Sequence, residues 1–140
     1  MQRVTCKQTR ANGQRRRTLI VAPVIVDENG DLDFFASIED AELYLEPWAV
    51  EEGFTAYDSE GRLLEIGVER RESPFLFGLW KTAVDDVVIK AVEDEPNHAR
   101  QLRATLLTFL ERTGISLDNP DVLPLRELVR RGVEHVGFTR

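Results

Sequence analysis

Leu19-Ile20-Val21-Ala22-Pro23-Val24-Ile25-Val26-Asp27-Glu28-Asn29-Gly30-Asp31-Leu32-Asp33-Phe34-Phe35 is the passage from which the architecture can be read. Its first half is an apolar, β-branched run with the composition of a strand. Pro23 has no N–H to give to a ladder, so the strand either begins near Val24 or lies at a sheet edge. Asn29-Gly30 then sits between two apolar runs. A tight type I′ turn needs positive φ at two successive residues, which Asn and Gly tolerate best, so the passage predicts a β-hairpin.

Working outward, Ser37 precedes Ile38-Glu39-Asp40-Ala41-Glu42-Leu43-Tyr44-Leu45-Glu46-Pro47. Ser37 is suited to cap a helix and Asp40, three residues on, gives an aspartate version of the capping box. Glu39, Asp40 and Glu42 complement the helix dipole in the first turns. Ile38, Ala41, Tyr44 and Leu45 form a stripe at helical spacing, and Pro47 ends the helix. Phe54-Thr55-Ala56-Tyr57 predicts another strand, closed by Asp58-Ser59-Glu60-Gly61 as a turn. Residues 62–70 alternate, with Leu64, Ile66 and Val68 opposite Glu65 and Glu69, which makes a second hairpin. Residues 73–82 are a bulky apolar loop or short element. Residues 83–93 predict a strand apolar on both faces, hence a central one.

Toward the C-terminus, Ala99, Leu102, Leu106, Phe109 and Leu110 mark a helix over 97–113, with Gly114 at the position that ends it. A loop follows over 115–120, and Leu125, Leu128, Val129, Gly132, Val133 and Val136 mark the last helix over 124–136. The predicted class is α+β. An antiparallel sheet of about four to five strands is built from hairpins, with one short helix after the first hairpin and two C-terminal amphipathic helices packed on the sheet, two layers in all.

The chain has 140 residues, 42% of them hydrophobic, enough for a single core. Residues 1–18 carry six cations (Arg3, Lys7, Arg10, Arg15, Arg16, Arg17) and no acid, and read as a disordered basic tail ahead of one domain over 19–140. The formal charge is −7, so removing the tail's +6 leaves −13 for the domain. That balance argues against a nucleic-acid binder. One cysteine, Cys6, rules out an internal disulfide framework and multi-thiolate zinc. No apolar run approaches the roughly 20 residues of a membrane span, and the expected location is cytoplasmic.

Between Thr18 and Arg62 there is no lysine or arginine, but there are twelve carboxylates. Asp27, Asn29, Asp31 and Asp33 alternate like calcium ligands. However, position 32 is Leu where an EF-hand needs glycine, and position 38 is Ile where it needs glutamate, so solvated acids in a hairpin are preferred. His98 and His135 have no partner set for nucleophilic or metal chemistry. Arg100, Arg103, Arg112, Arg126, Arg130 and Arg131 suggest an anion site or, more simply, solvated helix faces. No phosphate-cradling loop, nucleophile elbow or metalloprotease signature is present. The expectation is a non-enzyme without cofactor or metal.

Residues 37–47, then Ala56-Tyr57-Asp58-Ser59-Glu60-Gly61-Arg62-Leu63, and later Asn97-His98-Ala99-Arg100-Gln101-Leu102-Arg103, resemble a group of small uncharacterised bacterial proteins. Some of that group are immunity-like, similar to proteins that neutralise secreted toxins. The resemblance covers most of the chain after residue 20 and implies a small α+β binding protein rather than a reaction.

The residue pattern leads to an acidic binding protein that docks on a basic protein partner, with no membrane and no nucleic acid. Its surface is expected at Glu39, Glu42, Glu46, Trp48, Glu51 and Glu52, where an exposed Trp beside acids would serve as an anchor. A small-molecule or regulatory domain with a pocket near the loop from Phe75 to Trp80 is the alternative. The sequence leaves the oligomeric state open.

Overall fold

The computed structural model describes residues 20–75, 80–91 and 96–140, with the side chains of 73–75, 80–82 and 91 set aside. The basic tail and the middle of the apolar loop lie outside the described residues. Five strands, β1 (Val24–Glu28), β2 (Asp31–Phe35), β3 (Thr55–Tyr57), β4 (Leu63–Phe75) and β5 (Trp80–Ala91), form one antiparallel sheet in the order β2-β1-β3-β4-β5. The described helices are α1 (Ile38–Tyr44), α2 (Pro47–Glu51), α3 (Pro96–Arg112) and α4 (Leu125–Val136), with a 3₁₀ turn at Pro120–Val122.

The opening passage folds as its residues dictate. Val24 begins β1 immediately after Pro23, so the proline stays out of the ladder. Asn29 and Gly30 take φ of 53° and 96°, and Glu28 pairs with Asp31 across the turn. The Asp27 carboxylate accepts from Gly30 N–H at 2.7 Å, which holds the turn from its side-chain end. Ser37 caps α1, accepting from Asp40 N–H at 3.1 Å while its hydroxyl donates to the Asp40 carboxylate at 2.8 Å.

Both faces of the sheet are covered, so the molecule has three layers rather than two. Val24, Val26, Phe35, Ala56, Leu64, Val87 and Ile89 pack on Ala41, Leu45 and Ala49 of the α1–α2 side. Ile25, Leu32, Phe34 and Tyr57 pack on Leu102, Leu106, Phe109, Leu110, Leu128 and Val129 of α3 and α4. A second short helix that the sequence reading did not expect completes the first layer. Pro47 ends the path of α1 but also opens α2, because a proline at the first helical position loses no hydrogen bond.

Strand β5 corrects another expectation. It lies at the sheet edge, not the centre, and the doubly buried strand is β1, where Val24, Ile25 and Val26 are all fully buried. The edge is closed by a side chain: Glu42 Oε2 accepts from Ile89 N–H at 2.9 Å. At the opposite edge, Thr139 N–H donates to Phe34 C=O at 2.8 Å and its hydroxyl donates to Asp33 at 2.7 Å. Both devices occupy backbone or strand groups that would otherwise invite edge-to-edge pairing. Strand β4 outruns the expected 62–70 and stays in register with β5 from Leu64↔Ala91 to Phe75↔Trp80. Burial fades along it, from buried Leu64 through half-buried Ile66 to exposed Val68.

Candidate partner-binding surface

Helices α1 and α2 follow one another with two residues between them, and each turns one narrow face to the core. Ala41 is buried from the first, Leu45 from the junction after it, and Ala49 from the second. The small side chains on that face draw the helices close to the sheet, Ile38 packs partly buried beside them, Glu42 reaches β5, and much of what remains is exposed. Glu39, Asp40, Glu46, Glu51 and Glu52 are exposed, and among them stand three large apolar groups: Leu43 at 86% exposure, Tyr44 at 49% and Trp48 at 49%.

Trp48 is exposed yet held in place. Its indole N–H donates to Glu46 Oε2 at 2.6 Å, and its ring meets Phe54 edge-on, with centroids 5.4 Å apart at 83°. Tyr44 is braced from below by Phe35, ring to ring at 5.2 Å. An anchor ordered before contact loses less rotamer freedom on binding, which is how exposed aromatics become strong contributors to an interface. Beside them, Asp40, Leu43 and Tyr44 face Phe138, Thr139 and Arg140 across a depression of about 620 Å³.

The twelve acids separate by what they touch. Asp31 pairs with Arg112 from the end of α3 at 2.5 Å, so the hairpin tip is neutralised from across the fold. Asp58 is fully buried and accepts from Glu60 N–H, Arg62 N–H and the Arg62 guanidinium at 2.9–3.0 Å, and from Val21 N–H at 3.3 Å. Arg62 also reaches Glu60 at 2.5 Å. Glu42 caps β5. Among the described residues, no ion pair reaches Glu39, Glu46, Glu51 or Glu52. Five of the six expected surface residues (Glu39, Glu46, Trp48, Glu51 and Glu52) therefore share the outer side of the α1–α2 layer. The sixth, Glu42, has one oxygen committed to the sheet.

The arginines of α3 and α4 do not converge on an anion. Arg103 donates to the carbonyls of Pro120 and Leu123, Arg112 to Gly30 and Asp31, and Arg130 and Arg131 to Glu127 on their own helix. Those guanidinium hydrogen bonds hold the Glu127 carboxyl down at about 2 and raise Arg130 further above its ordinary value. On the same side of the sheet, burial and then the nearby Asp27 charge raise the Tyr57 phenol above its ordinary value. Among the described residues no group of three or more His, Cys, Asp or Glu is placed to hold a metal ion, and no helix is long and apolar enough to cross a membrane.

Sequence reasoning missed Leu43 and Tyr44 as surface groups. The periodicity places Tyr44 in the buried stripe, but a helix of seven residues buries little of its surface, and Ala41 with the capping Leu45 fills the space against the sheet. No family model, curated protein or solved structure matches the chain.

Proposed function

We propose that the chain is a non-catalytic, acidic binding protein, immunity-like in kind, that docks on a basic protein through the outer surface of α1 and α2. The observation that carries this reading is the preorganised Trp48, held by Glu46 and Phe54, in a segment whose Glu39, Glu46, Glu51 and Glu52 have no ion pair among the described residues. Carboxylates with no ion pair among the described residues keep their field available to steer a cationic surface, and the ordered ring supplies the apolar anchor once contact is made. Leu43 and Tyr44 extend the apolar area beyond one side chain. A toxin that binds phosphate backbones would present the basic surface this arrangement fits, because carboxylates compete for the same guanidinium and ammonium groups.

The test is capture of basic proteins by the immobilised chain at low and at high salt, alongside two variants. Wild type should retain a basic protein at low salt and release it as salt rises. Glu39→Lys/Glu46→Lys/Glu51→Lys/Glu52→Lys should retain none, and Trp48→Ala should weaken capture by about tenfold or more, the loss typical of a central aromatic anchor. Retention indifferent to salt, or unchanged in the four-site variant, would overturn the reading.

A further inference from the structure

We propose that the cleft between α4 and the segment leading into β1 binds a small organic monocarboxylate, whose apolar body lies among Pro23, Val129, Val133 and Phe138 and whose anionic head meets Arg126. The inference stands apart from the α1–α2 surface, because α4 covers the other face of the sheet. The cleft holds about 360 Å³, inside the span of roughly 300–1,000 Å³ typical of small-molecule sites. Its walls are built before any ligand arrives. On one side, Val21 N–H donates to the Asp58 carboxylate at 3.3 Å and Val21 C=O accepts from Ser59 N–H at 2.9 Å, which fixes the approach of Ala22 and Pro23. On the other, Thr139 N–H donates to Phe34 C=O at 2.8 Å and its hydroxyl to Asp33 at 2.7 Å, which holds the adjoining Phe138 at the rim. The floor is α4 itself, with Val129 buried and Val133, one turn on, half-buried. A pocket tied down on both sides loses little conformational freedom when it is filled. Phe138 is 46% exposed, so its ring presents apolar surface that the fold itself leaves uncovered.

The charge at the mouth is single and positive. Arg130 also lines the cleft, but it donates to Glu127 and to Glu134, so its charge is met within α4. Among the described residues no ion pair reaches Arg126, whose side chain is exposed at the same cleft. Local structure gives Arg126 no reason to be there, since the dipole of α4 disfavours a cation in the first turn. A guanidinium offers a carboxylate two parallel N–H donors, and beside an apolar wall that contact is less screened than in open water. Inorganic phosphate would leave the apolar walls unfilled, and a neutral hydrocarbon would leave Arg126 unanswered. One cation beside an apolar floor of this size therefore selects a monoanion with an apolar tail.

The experiment titrates the full chain, isotopically labelled for amide NMR, with phenylpropionate and octanoate and with their neutral counterparts, phenylpropanamide and octanamide. Arg126→Gln and Phe138→Ala, both at exposed side chains, are titrated in parallel, and their urea midpoints confirm that they fold. At millimolar concentration at least one carboxylate should bind saturably, shift the amides of Ala22, Val129 and Val133, and raise the melting temperature. The matching amide should bind about tenfold more weakly, Arg126→Gln should reduce the carboxylate to the affinity of the amide, and Phe138→Ala should weaken both. Equal affinity for acid and amide, or a carboxylate indifferent to Arg126→Gln, would overturn the proposal. So would shifts confined to Leu43 and Tyr44, which would put the ligand in the neighbouring depression, and so would the absence of binding by all four compounds. Binding unchanged in Phe138→Ala would remove that ring from the wall and overturn it too. None of these outcomes bears on the α1–α2 surface, whose own test is separate.

Discussion

Gly132 faces the ring of Phe34, and a Cβ built there would lie 2.5 Å from the ring's Cζ. Helix propensity favours alanine over glycine by about 1 kcal/mol, so the sign of Gly132→Ala depends on whether Phe34 can yield. Phe34 is fully buried and stands 6.3 Å from Phe109, centroid to centroid, so it has nowhere to go. Overpacking of this sort costs about 1–3 kcal/mol, and Gly132→Ala should lower the urea midpoint, not raise it. Gly61 combines both kinds of constraint: φ is 83°, and an added Cβ would come within 2.7 Å of Ala99 Cα. Buried Tyr57 makes a pH prediction. Its phenol is raised above 10.0, so the folded state favours the neutral form. That contribution is complete below pH 10 and is lost as pH climbs through the folded value. Denaturant midpoints measured from pH 9 to 12 should fall more steeply for wild type than for Tyr57→Phe, and parallel curves would contradict the burial.

Each strand and helix was legible to the extent that its signal was local. The Asn29-Gly30 hairpin, the Ser37 cap and the periodic C-terminal helices all rest on chemistry within a few residues, and all are present. What depends on distant chain was not legible. Residues 83–93 have apolar side chains on both faces and so read as a central strand, yet on the outer side of β5 the described partner is a carboxylate from α1. Nothing local in Glu42 announces that role, since a glutamate following two acids of the first helical turn reads as one more charge favourable to the helix dipole. Helix α2 is not evident from Pro47 read as a terminator, because the same proline is equally suited to a first helical position. The role of Glu42 leads to a measurement: Glu42→Ala should leave the Ile89 amide without its acceptor, speed its hydrogen exchange more than that of neighbours bonded to β4, and cost about 1–3 kcal/mol. Unchanged exchange at Ile89 would show that the edge does not need the cap.

Across the whole molecule, the fold separates acids that hold the structure from acids that face outward. In the sequence all twelve stand in one cation-free block, and the pairing of Asp58 and Glu60 with Arg62 and of Asp31 with Arg112 appears only once the hairpins and α3 come together. The expected surface was legible as composition, but its apolar part was not, because exposure of Leu43 and Tyr44 follows from how little of a short helix the sheet can cover. The three-layer arrangement also explains why, among the described residues, no ion pair reaches Glu39, Glu46, Glu51 or Glu52. The arginines of α3 and α4 lie across the sheet, separated from them by a full layer of core. Charges held apart by low-dielectric protein and exposed to solvent keep an external field within about a Debye length, roughly 10 Å at 0.1 M salt.

The most direct test of that surface is a fluorescence titration of Trp48, in a Trp80→Phe background, with an oligo-arginine peptide at rising salt. The account predicts a saturable change in emission at low salt that weakens steadily as salt increases and is absent in Glu39→Lys/Glu46→Lys/Glu51→Lys/Glu52→Lys. An emission that does not respond, or that responds equally in the reversed variant, would contradict it.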